Sequence, residues 1–401
     1  MRLTAEERSM LEGDHGPGVR KAMEIVLALG RIYDAQQLVP VSSVQVAGVS
    51  YRNLGEAGLA FLREWADQGA RARVPATLNP AGVDLEAWQE LGFSEGFAQR
   101  QMAVVEAYEA LGVLPTCTCT PYLVGNIPRR GEHVAWAESS AVSYANSVLG
   151  ARTNREGGPS ALAAAITGRT AAYGLHLDEN RRASLLVEVQ CPVSSLADFG
   201  ALGYLVGQHA RNRVPFFEGL RVGSNTDLKA LGAAMAASGA VALYHVAGVT
   251  PEADRPDTLR PDHQALVVDD LGPAYAALNA ASEEIDLVWF GCPHAGLEEM
   301  ARIVQLLDGR RVSSALWVTT ARETRERARA DGLVDAIEAS GGRVVADMCV
   351  VVAPMHELDF HTLATPSAKG AWYVPSHAGL LVRYGTVEQC VEAAITGIWL
   401  A

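Results

Sequence analysis

Apolar residues follow one rhythm in the second half of the chain and a looser one in the first. Short apolar, β-rich runs fall at 185–189, 241–246, 287–290, 315–318 and 344–345. Stretches of helical composition separate most of them, at 201–207, 228–237, 273–281, 296–307 and 323–339. Apolar strands alternating with helices predict parallel sheets covered on both faces. In the first half, Thr4 and Glu7 are spaced for a capping box. A helix is predicted over 19–29 with Gly30 as its stop. A β-rich segment covers 39–46, helices 61–67, 95–111 and 139–149, and a strand 74–78. No repeat, low-complexity tract or long linker stands out. The fold class is α/β, with an N-terminal region over 1–185 and repeated α/β units over 186–401.

In open α/β sheets, sites form beyond the carboxyl ends of strands. Three predicted strand ends carry cysteine: Gly291-Cys292-Pro293-His294, Asp347-Met348-Cys349 and Thr116-Cys117-Thr118-Cys119. Each is a small buried hydrophobe on one reading and a metal ligand on the other. The spacing is not that of structural zinc, since no C-x-x-C pair occurs. Three thiolates with an open position suit iron or an iron–sulfur cluster. Cys191 and Cys390 lack such a setting. His294, directly after the cysteine loop, is a candidate acid/base or polarising group.

The segment 131–160 is unusually polar. On a helix from Ser139, the side chains of Ser139, Ser143, Asn146 and Ser147 form a stripe. It is either a solvated face or part of a site. Arg152-Thr153-Asn154-Arg155 adds two guanidinium forks suited to a carboxylate. The segment 365–379 reads as a loop containing Lys369 and His377. That lysine is either a surface charge or a ligand for a substrate anion.

Composition narrows the partners. The net charge of −13 argues against nucleic acid or an anionic membrane. No run approaches the ~18 apolar residues of a membrane span. The first residues lack an apolar signal core, which predicts a cytoplasmic protein with reduced thiols. Only three of the 33 basic residues are lysine, namely Lys21, Lys229 and Lys369.

Taken together, Thr118 to Tyr122, Gly131 to His133, Glu138 to Val142, Asn146 to Gly158, Gly291 to His294 and Lys369-Gly370 closely resemble the large subunit of aconitase X. Leu11 to Gly16 and Ala22-Met23 fit as well. The resemblance covers nearly the full chain. It implies stacked α/β domains around an iron or iron–sulfur centre that dehydrates a small hydroxy acid. The family's cluster cysteines map onto Cys119, Cys292 and Cys349, leaving Cys117 as an extra thiol. The implied cofactor is an iron–sulfur cluster, with the two-iron form favoured, or mononuclear iron. His294 and Lys369 are then the catalytic candidates. Glu138, Ser139, Ser140, Asn146, Arg152, Thr153, Asn154, Arg155 and His377 are the substrate-binding candidates.

Aconitase-type enzymes also use a smaller domain that carries a serine base, fused or separate. No such module follows Ala401, so the chain reads as one half of a heterodimer. The first substrate expectation is cis-3-hydroxy-L-proline, converted to Δ1-pyrroline-2-carboxylate. The second is mevalonate 5-phosphate, placed lower because no extra cation cluster for a phosphate is evident. A zinc or cysteine hydrolase built on Cys117 and Cys119, or a non-catalytic assembly subunit, are the remaining readings.

Overall fold

A computed structural model describes residues 1–400. Three parallel sheets and one small antiparallel pair organise the chain. The first parallel sheet has Val44–Val46 at its centre, flanked by Ala76–Leu78 and Ala135–Trp136. The second orders His245–Val246, Pro215–Glu218, Ala183–Val189 and Leu259–Val268. The third orders Arg343–Ala346, Ala315–Thr320, Leu287–Phe290, Thr362–Thr365 and Leu381–Tyr384. The antiparallel pair joins Leu38–Pro40 to Arg169–Ala171.

The strands of the third sheet are apolar because helices cover both faces. Val288 and Phe290 pack with Ile303, Ile337 and Val391, while Leu287 and Trp289 face a core shared with Phe93 and Leu202. That shared core joins the second and third sheets and takes in Val83, Phe93 and Phe97 from the N-terminal region, while the first sheet's strands pack in a core of their own with Met23, Leu62 and Leu162. The expected α/β architecture is therefore present.

Several local expectations change. The helix Pro17–Ile32 runs through Gly30, which is buried in contact with the side chain of Met1. Only His245–Val246 of the run 241–246 pairs as a strand. The stretch 323–339 is two helices, Arg322–Ala330 and Leu333–Ala339, parted at Gly332 with φ 76°. The supposed loop around Lys369 is a helix, Ala368–His377, whose cap Ser367 accepts from the Gly370 N–H. Among the described residues no helix is long and apolar enough to cross a membrane.

Candidate active site

The third sheet reverses its winding between Leu287–Phe290 and Thr362–Thr365. The chain steps outward on one side, then returns to add strands on the other. Such a reversal opens a crevice beyond the strand ends. Gly291-Cys292 enters the crevice from one strand, and Ser367 and Lys369 from its neighbour. Gly291 has φ 104°, and a Cβ there would lie 2.1 Å from the Thr319 carbonyl oxygen. Only glycine makes this turn. The Ser367 hydroxyl donates to the Cys292 carbonyl and so joins the two sides.

Cys119, Cys292 and Cys349 all line one cavity of about 390 Å³, together with Glu138, Lys369 and Arg155. His294 ties the three cysteine loops to one another. Its backbone N–H donates to Cys119 Sγ at 3.2 Å. Its Nε2 lies 2.9 Å from the Met348 carbonyl, beside Cys349, and its Nδ1 lies 2.9 Å from Thr118 Oγ1. A carbonyl only accepts, so Nε2 holds the proton and Nδ1 accepts from the hydroxyl. Burial pushes the imidazole pKa down to about 4. Both ring nitrogens are engaged, and the ring does not line the cavity. The structure thus places His294 behind the thiols as a tie, not in front of them as an acid or base.

The donor set fits an iron–sulfur centre. All six cysteines are free thiols. Burial pushes the Cys119 thiol up to about 12, with Glu138 adding to the effect and Lys369 opposing it. Burial also raises Cys292 and Cys349. A soft cation that displaces these protons relieves that cost. Among the described residues no His, Cys, Asp or Glu trio is gathered tightly enough to hold a single metal ion. Three thiols lining one cavity offer the sulfur ligands that iron or an iron–sulfur cluster takes. Cys117 is fully buried among first-sheet core residues and does not line the cavity.

Lys369 donates to Glu138 Oε1 and, at 3.1 Å, to Ser140 Oγ. Burial alone disfavours the ammonium, but Glu138 and the neighbouring thiols outweigh it and raise its pKa. Burial likewise opposes a Glu138 carboxylate, and Lys369 outweighs it. Hydrogen bonds from Ser140 Oγ (2.5 Å) and the Ala141 N–H (2.7 Å) add to the same side. Ser139 Oγ also donates to Glu138, at 3.3 Å. Lys369 therefore keeps its proton and Glu138 stays ionised.

The polar block divides sharply. Glu138, Ser139 and Arg155 line the cavity, Ser140 bonds to Lys369, and His377 stands at the exposed edge. Asn146, Arg152, Thr153 and Asn154 are directed elsewhere. Asn146 donates to the Thr153 and Ala242 carbonyls at 2.9 Å each and accepts from Arg181. Thr153 Oγ1 accepts from the Trp136 N–H at 3.1 Å. Asn154 donates to the Tyr173 carbonyl and accepts from the Leu175 N–H. Arg152 bonds Asp178 and the His176 carbonyl, lining a separate charged cleft. The serine stripe is buried, not solvated: Ser147 accepts from the Tyr244 N–H.

Three features escaped the sequence reading. Asn79, at the end of Ala76–Leu78, lines the cavity, and among the described residues its buried Oδ1 has no hydrogen-bond partner. An unmet buried acceptor costs about 1–3 kcal/mol. Asp84 accepts from the Ala346 N–H at 2.9 Å and from Arg322 and Arg325 at 3.1 Å each, clamping the strand that leads to Cys349. Lys229 donates to Glu299 and to the His294 carbonyl, bracing the Cys292 loop from behind. Asn79 follows a strand that was predicted, so the strand-end rule, applied beyond cysteines, finds it. The other two are tertiary pairings with no local signal.

Family models of the aconitase X first, second and third domains match residues 1–179, 183–271 and 285–396. The chain belongs to the aconitase X family. The phosphomevalonate dehydratase large subunit of Methanothermobacter thermautotrophicus is 53% identical, over 95% of this chain and 96% of that one. The cis-3-hydroxy-L-proline dehydratase of Pseudomonas aeruginosa is 39% identical, over 99% of this chain and 70% of that one. The crystal structure of the holo-form of Thermococcus kodakaraensis aconitase X superposes with a TM-score of 0.92 at 44% identity, covering 98% of this chain and 100% of that one. As an aconitase X protein this chain is a hydro-lyase of the dehydratase type. That excludes the hydrolase and the non-catalytic assembly subunit.

Proposed function

We propose that this chain is the large subunit of an iron–sulfur dehydratase acting on mevalonate 5-phosphate with a separate small subunit. The observation that carries the substrate is the order of identity: 53% to a phosphomevalonate dehydratase large subunit against 39% to a hydroxyproline dehydratase. This reverses the order expected from the sequence.

The reaction removes a proton from the carbon beside a carboxylate and the hydroxyl from the next carbon, leaving a double bond and water. Bound at Cys119, Cys292 and Cys349, the cluster supplies a Lewis acid for the departing hydroxyl. The chain's own residues bind and orient. Among the described residues the Arg155 guanidinium has no hydrogen-bond or ion-pair partner, and it faces the cavity ready for a carboxylate or phosphate oxygen. Lys369 holds a fixed positive charge beside the thiols and offsets their negative charge once they are deprotonated. Ser139 and Ser140 keep Glu138 aligned to Lys369. The two buried ionised groups of the cavity are not free to take the α-proton: Lys369 is already protonated, and Glu138 is tied into its ion pair. This supports a base supplied by the small subunit, which the resemblance gives as a serine.

Anaerobic co-purification with the small subunit, followed by assays on both substrates, tests the reading. The expected result is turnover of mevalonate 5-phosphate with little on cis-3-hydroxy-L-proline. Turnover of the hydroxyproline alone overturns the substrate assignment.

A further inference from the structure

We propose that Asn79 is a substrate-contacting residue that grips the hydroxyl and carboxylate of the 3-hydroxy acid. The inference rests on the cavity being the dehydration site, but not on which of the two substrates fills it. Both carry a hydroxyl on the carbon next to the one bearing the carboxylate.

Four observations converge. Asn79 follows Ala76–Leu78, and its N–H donates to the Val46 carbonyl at 2.9 Å, which fixes the backbone at the sheet's end. Two residues on, Ala81 is stitched to the third thiol loop. The Ala81 N–H donates to the Asp347 carbonyl at 2.7 Å, and the Cys349 N–H donates to the Ala81 carbonyl at 3.3 Å. The carboxamide therefore keeps a set position relative to Cys349. Among the described residues it is the only carboxamide oxygen buried without a partner, and the only such orphan lining the thiol cavity. By contrast, the fully buried amides are used. Gln45 donates to the Thr118 carbonyl and accepts from the Glu138 N–H. Gln101 accepts from the Tyr51 and Gly82 N–H groups and donates to the Val49 carbonyl.

A carboxamide presents an acceptor and a donor side by side. A 3-hydroxy acid presents the complement, a hydroxyl proton near a carboxylate oxygen. Asn79 Oδ1 accepts from the hydroxyl, and Nδ2 donates to the carboxylate. Asn79 transfers no proton. It turns the hydroxyl oxygen toward the thiol-lined wall and leaves Arg155 for the second anionic group of a longer substrate.

The test uses the holoenzyme with its small subunit and the variant Asn79→Ala. On whichever substrate the wild type turns over, kcat/KM is expected to fall ~30–100-fold. Iron content and visible spectrum stay unchanged and the melting temperature does not fall, because among the described residues the carboxamide makes no hydrogen bond to the protein. A merely structural role shifts the spectrum or lowers the melting temperature instead. An analogue lacking the hydroxyl binds wild type with a smaller loss on substitution than the hydroxy acid shows. A kcat/KM within twofold of wild type overturns the proposal. If the wild type turns over neither substrate, the functional reading fails separately. Calorimetric binding of mevalonate 5-phosphate and cis-3-hydroxy-L-proline then decides. A tenfold or greater weakening in Asn79→Ala supports the contact, and equal binding or none overturns it.

Discussion

The back of the thiol cavity and its front wall are built on opposite terms. Behind the thiols, polar groups are matched to one another. His294 uses its backbone N–H and both ring nitrogens, Lys229 meets Glu299 and a carbonyl, and Asp84 meets a backbone N–H and two arginines. On the front wall, among the described residues, Asn79 Oδ1 lacks a hydrogen-bond partner and Arg155 makes no side-chain hydrogen bond or ion pair. Arg325 Nε behind the thiols is also buried without a hydrogen bond, so what sets the front wall apart is that its orphan lines the thiol cavity. On the function proposed above, the contrast separates residues that would place the cluster from residues that would meet substrate, although both types lie within a few positions of a cysteine or a strand end.

Substitutions sharpen or break the contrast. The largest effect is expected for His294→Ala, which strands the Met348 carbonyl and the Thr118 hydroxyl and opens a buried void. It should cost about 3–5 kcal/mol and abolish cluster retention, read as iron per chain together with the unfolding midpoint of the metal-free protein. Normal iron and stability in that variant would move His294 out of the frame. Lys369→Met leaves the Glu138 carboxylate buried and unpaired, at about 3–4 kcal/mol. The double variant with Glu138→Gln should regain part of that loss in a denaturant melt, as a coupled pair requires.

Arg155→Ala is expected to act on the ligand alone. A loss of ~50–100-fold in kcat/KM should come with no change in melting temperature, and Arg152→Ala should change kcat/KM by less than about twofold. Equal effects of the two would erase the division of the polar block.

A smaller effect comes from the cleft that Arg152 lines. The His176 carbonyl accepts from Arg152, and its imidazole is held neutral, the pKa pushed down to about 3 by burial and then by His133, Arg181 and Arg152. The unfolded chain takes up this proton near pH ~6.5, and the folded chain refuses it until about 3. Stability is therefore complete above that upper value and is lost as the pH falls through the window. Between pH ~7 and ~5 the loss is about 2 kcal/mol. His176→Gln should remove that part of the slope in melts across this range.

Much of this arrangement could be read in advance because it is local. The strand Leu287–Phe290 is a continuous apolar run, and the loops of Cys292 and Cys349 follow the ends of Leu287–Phe290 and Arg343–Ala346, whereas the strand expected before Cys119 is reduced to a single bridge between Leu114 and Thr77. What was not legible depends on distant partners. Ser367, Gly370 and Pro375 look like loop residues, yet burial against Trp289 and a serine cap hold the segment as a helix. The polar side chains of 139–147 look solvated, yet Tyr244 and Ala242 satisfy two of them from about 100 positions away. Leu259–Val268 carries Arg260, Asp262 and His263 because it is a sheet-edge strand with an exposed side. The role expected of His294 changed for the same reason. Sequence placed it beside Cys292, but only tertiary contacts show that its ring is spent on Thr118 and Met348.

The convergence of Cys119, Cys292 and Cys349 on one cluster is the claim on which the rest stands. Iron and acid-labile sulfide per chain, measured after anaerobic reconstitution of single Cys→Ser variants at all six positions, tests it directly. Loss of iron in Cys119→Ser, Cys292→Ser and Cys349→Ser, with wild-type loading in Cys117→Ser, Cys191→Ser and Cys390→Ser, is the result predicted. Full loading in any of the first three, or its loss in Cys117→Ser with an intact fold, would contradict it.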